Sequence, residues 1–122
     1  MKSALLPLTV AAVAISTAWA GEDTKLPRTF ALDIAAGKIH EECIALKKGS
    51  VVPYRFQASQ PLPFNIHYHV GKGKDEKIEY PVKIDGVDKK EGRLTVPLDQ
   101  HYCWMWSNKT AAPVRVSGRI GE

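Results

Sequence analysis

The chain has 122 residues, 44% of them hydrophobic and 25% charged, with a formal net charge of +4. That length holds one domain with a real core and leaves little room for a second. Two cysteines exclude a disulfide-dense miniprotein and a four-cysteine metal knot, and no run beyond the N-terminus is apolar enough to span a bilayer.

In chain order, residues 1–20 read as a leader. Lys2 supplies a positive start, Ala4 to Ile15 an apolar stretch, and Ala18-Trp19-Ala20 a small-x-small cleavage pattern. The expectation is a signal peptide over 1–20 and a domain over 21–122, periplasmic or secreted, with no membrane span after cleavage. Export turns the basic balance away from nucleic acid. Lys72, Lys74, Lys77, Lys89 and Lys90 lie beside glycines and mix with Asp75, Glu76, Asp88 and Glu91, so they read as solvated loops.

The mature segment alternates with a period of two. Phe30, Leu32 and Ile34 open it; Asp33 to Ala36 has the makings of one helical turn, ended by Gly37. Val52, Tyr54 and Phe56 follow, with Pro53 marking an edge or bulge. Next come Phe64, Ile66, Tyr68 and Val70, then Ile78, Tyr80, Val82 and Ile84 interrupted by Pro81. Leu94, Val96 and Leu98 form another run, followed by Tyr102, Trp104 and Trp106, then Val114 and Val116. Lys48-Gly49-Ser50, Gly71-Lys72-Gly73, Asp85-Gly86, Glu91-Gly92 and Ala112-Pro113 punctuate the runs as turns. The pattern predicts an all-β fold, a single antiparallel β-sandwich of seven to eight short strands.

Cys43 and Cys103 stand sixty positions apart. In an oxidising compartment two cysteines pair, and closing such a loop stabilises by about 4 kcal/mol on loop-entropy grounds. The rival reading keeps Cys103 as a metal-bound thiolate.

These residues also resemble a family pattern. Glu42-Cys43, Lys48-Gly49, the strand Val52 to Phe56 and the late run Tyr102-Cys103-Trp104-Met105-Trp106-Ser107-Asn108 are similar to the Golgi-dynamics (GOLD) domain of early secretory cargo receptors. The likeness runs from about Ile39 to Ile120. It implies a small β-sandwich that binds something without catalysing a reaction. The family's late cysteine falls where Met105 stands here, its coiled coil and transmembrane helix have no counterpart, and His67-Tyr68-His69 is not part of its pattern. Cargo sorting is therefore not carried over.

His67 and His69 share a strand face, with Cα atoms about 6.5–7 Å apart. His101, Cys103 and Met105 share a face of the late strand. If the two strands are neighbours, imidazole and thioether converge, a set suited to one copper ion. His67, His69 and Met105 are thus the candidate metal ligands, against the plainer reading of exposed histidines and a packing methionine. His40 reads as a residue opening a strand. Tyr102, Trp104 and Trp106 occupy the opposite face from His101, Cys103 and Met105, as core or as a binding platform; periodicity does not choose between them. No Gly-x-Ser-x-Gly elbow occurs, and His40-Glu41-Glu42-Cys43 lacks the second histidine of a zinc protease. Asp85, Asp88 and Asp99 lack EF-hand spacing, and Asn108-Lys109-Thr110 fits a glycosylation sequon. The sequence therefore points to an exported non-catalytic binding protein, with copper as ligand or, alternatively, a metal-free module for a protein partner.

Overall fold

The computed structural model describes residues 25–122, so the leader expected over 1–20 lies outside the described residues. Six strands form: β1 (Arg28–Ile34), β2 (Ile39–Leu46), β3 (Val51–Val70), β4 (Lys77–Thr95), β5 (Gln100–Ser107) and β6 (Val114–Ile120). Every pairing is antiparallel. The order is β1-β6-β3-β5-β2, with β4 on the other side of β3.

The organising feature is a change of partner along β3. Tyr54–Ala58 pair with β6, whereas Phe64–His67 pair with β5, and β4 follows both stretches. Between them the register shifts at Gln57/Leu62 and again at Leu62/Phe64. These shifts bend the long hairpin, as bulges do. One half joins β1 and β6, and the other joins β5 and β2. The aromatic contacts show the two halves packing face to face: Phe30 and Phe56 from the first lie 4.8 and 5.4 Å, between ring centroids, from Trp106 of the second. Tyr54 meets Trp104 at 6.0 Å. The result is a sandwich-like curled sheet.

The all-β antiparallel expectation holds, but in six strands, two of them 20 and 19 residues long. Pro61 and Pro63 do not end β3, because they fall where no partner is matched and no ladder donor is required. Pro81 sits in the edge strand β4, opposite the shift between Ile66 and Tyr68. Gly86 and Gly92, expected as turns, lie inside β4. At Gly92 the Tyr54 ring occupies the space a Cβ would need. Lys89 and Lys90 likewise belong to β4 and not to a loop. Ile34 ends β1 as a strand, and the turn that follows is closed by Gly37 at φ +73°.

The core is the inner face of both halves. Tyr102, Trp104 and Trp106 are fully buried, with Phe64, Ile66, Ile44 and Val116 around them. The aromatic strand face is therefore core. Beside it, Asn108, 1% exposed, donates to the carbonyls of Ile34, Ala35 and Ala112 and accepts from Thr110. The sequon asparagine is a buried tie between the ends of β1 and β6.

Candidate functional site

With Tyr102, Trp104 and Trp106 turned inward, the alternation of β5 turns Cys103 and Met105 outward. The register then assembles a patch across three strands. Cys43 faces Cys103 and Glu41 faces Met105 across β2–β5, while His67 faces Cys103 and Asn65 faces Met105 across β3–β5. On the β4 side, Lys83 stands opposite Asn65 and Ile78 opposite His69. Cys43 and Cys103 are bridged, at a Cα separation of 4.1 Å. The expected disulfide is present, and in this oxidised state Cys103 is no thiolate ligand.

His67 is buried, 6% exposed. Its Nδ1–H donates to Asn65 Oδ1 at 2.7 Å. Its Nε2 lies 3.8 Å from Glu41 Oε1, too far for a hydrogen bond. Burial lowers its pKa from the ordinary histidine value; Glu41 opposes the shift and His69 adds to it. The ring is therefore neutral at pH 7, with its Nε2 lone pair turned toward the Glu41 carboxylate. His69 is exposed, and its Nδ1 meets Glu76 Oε1 at 2.9 Å. Glu76 sits between the 3₁₀ turn Gly73–Asp75 and β4. The two imidazoles are 5.3 Å apart and edge-on. Tyr80 lies 6.0 Å from the His67 ring, with Lys83 Nζ 4.8 Å above the Tyr80 ring.

The structure thus brings His67 and His69 together and places Met105 two register positions along from His67, opposite Asn65. Among the described residues, the one group of three or more His, Cys, Asp or Glu ligand atoms mutually within 4.8 Å is Glu41, Cys43 and Cys103. Both sulfurs of that group are held in the bridge. His101 is exposed, opposite Ala45. His40 faces the core side, stacked at 6.0 Å on Trp106, with Nε2 3.2 Å from Glu42 Oε1. Sequence reasoning missed Asn65, Glu41, Glu76 and Tyr80. Asn65 was within reach, since it precedes His67 by two on the same face. The others come into place only through the pairing of β2 and β4.

The outer face of the other half is different in character. A trough of 710 Å³ runs beside β3, lined by Arg55, Arg93 and Arg119 with Glu91 and Glu122.

The fold and this face define the class: an all-β, sandwich-like protein with a disulfide-pinned sheet. No protein-family model matches the chain, and no curated protein matches it in sequence. Among solved structures it is similar to Aeromonas hydrophila PliG, a periplasmic lysozyme inhibitor of g-type lysozyme. That likeness has a TM-score of 0.56 at 13% identity, covering 83% of this chain and 93% of that one. A de novo designed double-stranded β-helix gives a TM-score of 0.43 at 16% identity, covering 76% of this chain and 97% of that one. At 13% identity the PliG likeness supports the all-β, sandwich-like fold and does not single out the GOLD family. Among the described residues, no helix is long and apolar enough to cross a membrane.

Proposed function

We propose that the chain is an exported, non-catalytic binding protein whose ligand is another protein. The observation that carries this reading is the outer face at the β3–β4 hairpin. There Ile78 and Tyr80, 45% and 42% exposed, flank His69 and Lys83. Exposed aromatic and apolar side chains rimmed by charge are the usual makings of an interface. The likeness of fold to a periplasmic inhibitor that binds a protein supports the same reading. Co-elution with a g-type lysozyme, and with an extract of exported proteins, tests it. A stable complex weakened at least tenfold by Tyr80→Glu is the expected result. A chain that elutes alone from both, or a complex indifferent to Ile78→Glu and Tyr80→Glu, overturns it.

One observation favours a second reading, copper at His67, His69 and Met105. The Nδ1 atoms of both histidines are occupied by Asn65 and Glu76, which leaves both Nε2 atoms for a metal. Outer partners of this kind orient ligating histidines. His67→Ala, His69→Ala and Met105→Leu should each weaken copper binding by the oxidised chain. Parent-like binding by all three would dispose of it.

A further inference from the structure

We propose that opening the Cys43–Cys103 bridge converts this face into a tetrahedral zinc site, with Cys43 Sγ, Cys103 Sγ, His67 Nε2 and a Glu41 carboxylate oxygen as its ligands. The inference goes beyond protein binding and does not depend on it. Three of its four ligand atoms are already gathered, and the fourth adjoins them. Those of Glu41, Cys43 and Cys103 lie within 4.8 Å of one another. His67 Nε2 stands 3.8 Å from Glu41 Oε1, and His67 is the β3 partner of Cys103. Two ligands of one zinc ion, at bond lengths of about 2.0–2.3 Å, sit roughly 3.3–3.8 Å apart. Two adjustments complete the site: the sulfurs spread by rotation about their Cα–Cβ bonds, and His67 Nε2, which lies outside the 4.8 Å group, closes on them from its place beside Glu41.

The chemistry of the set selects the ion. Two thiolates, an imidazole and a carboxylate suit zinc, with its tetrahedral preference and borderline softness. His67 is preorganised for the role, because Asn65 holds the proton on Nδ1 and fixes the ring. Cys43 and Cys103 are half-buried residues on the outer face, where a reductant would approach the bridge.

Reduction requires a dithiol reductant. One of its thiolates attacks a bridge sulfur, giving a mixed disulfide and one free protein thiol. Its second thiol then closes the reductant's own disulfide and releases the other protein thiol. Two electrons and two protons pass to the protein, and zinc displaces the two thiol protons when it binds. The ion would then tie β2 to β5, as the disulfide does, and add β3 through His67.

The test uses the chain reduced by a dithiol that is then removed without air, titrated with Co²⁺ as an optical probe for zinc. One equivalent should bind with a thiolate-to-cobalt charge-transfer band and strong tetrahedral d–d bands, which zinc abolishes. The oxidised chain should show neither. Asn65→Ala should weaken the site by about 10- to 100-fold, and His67→Ala should alter the d–d bands. His69→Ala and Met105→Leu should leave it unchanged, which separates it from copper binding by the oxidised chain. A reduced chain with native near-ultraviolet circular dichroism but no charge-transfer band overturns the proposal. So does a band insensitive to both His67→Ala and Asn65→Ala, or a loss of that dichroism on reduction that zinc does not restore.

Discussion

Asn65 and His67, two residues apart on β3, are joined by a 2.7 Å hydrogen bond on the sheet's outer face, although both side chains are buried. An asparagine oxygen accepts and never donates, so the proton of the neutral ring is assigned to Nδ1. Burial then disfavours a second proton on Nε2, against the pull of Glu41.

The pH dependence follows from that shift. The native state holds His67 below its ordinary value of 6.5, so the unfolded chain binds more protons over the interval beneath it. Stability is full above that value, falls as pH drops through it, and levels off below the native pKa. The urea midpoint should therefore decline from pH 7.5 toward pH 5, and His67→Gln should flatten part of the decline. Proton titration by NMR should place His67 below 6.5. A His67 that titrates at or above 6.5 would contradict this account.

Cys43 and Cys103 face each other directly across β2–β5. Because their bridge spans sixty residues, replacing both with serine should cost about 4 kcal/mol, mostly through the unfolded state. The inner face beneath the bridge is closed by Trp104 and Ile44 without it. The double variant should keep its near-ultraviolet circular dichroism at 20 °C while its urea midpoint falls. An unchanged midpoint would mean that the bridge constrains little.

The alternation of Phe64, Ile66 and Tyr68 or of Tyr102, Trp104 and Trp106 was enough to name strands, because each inner-face residue keeps the period of two. It was not enough to say where strands end. Pro61, Pro63 and Gly86 are irregular for a reason, since β3 changes partner there, yet the chain bends through them without turning back. The choice between a core and a platform for Trp104 and Trp106 depends on which sheet covers them, and local periodicity carries no such information. The site divides in the same way. The shared face of His67 and His69 was written in adjacent residues, whereas Glu41 and Glu76 reach it only through the pairing of other strands.

Trp104 and Trp106 are fully buried, and neither indole N–H has a hydrogen-bond partner among the described residues. Replacement by phenylalanine therefore loses volume and no hydrogen bond. Trp106→Ala should cost about 3–5 kcal/mol and Trp106→Phe about 1–2. Trp106 deserves the larger effect because Phe30, Phe56 and Phe64 all pack on it, at 4.8, 5.4 and 5.4 Å. In the chain beginning at Gly21, tryptophan emission should be blue-shifted and resist iodide quenching. Ready quenching would place these rings at the surface.

Asn108 links three backbone carbonyls, one at the end of β1 and two in loops, to one side chain. Its amide donates to Ile34 O at 2.9 Å and Ala112 O at 2.8 Å, and more weakly to Ala35 O. Its oxygen takes the Thr110 backbone N–H at 2.9 Å and the Thr110 hydroxyl at 2.7 Å. Asn108 itself is 1% exposed. Asn108→Ala takes the amide from the buried Ile34 carbonyl, whereas Ala35, Thr110 and Ala112 are exposed to water and the Thr110 hydroxyl keeps its bond to the Ala112 carbonyl. A buried group that loses its partner costs about 1–3 kcal/mol and the exposed ones add little, so the expected loss is about 2 kcal/mol. For a domain of this size that lowers the melting temperature by roughly 10 °C. Thr110→Val removes only the hydroxyl bonds and should cost about 1 kcal/mol. The same burial decides the fate of the Asn108-Lys109-Thr110 sequon. A glycan on Asn108 has no room inside the fold, so folded protein secreted from a glycosylating host should carry none there by mass spectrometry. Folded protein with an occupied Asn108, or an Asn108→Ala variant as stable as its parent, would show that the side chain is not the tie between β1 and β6 described above.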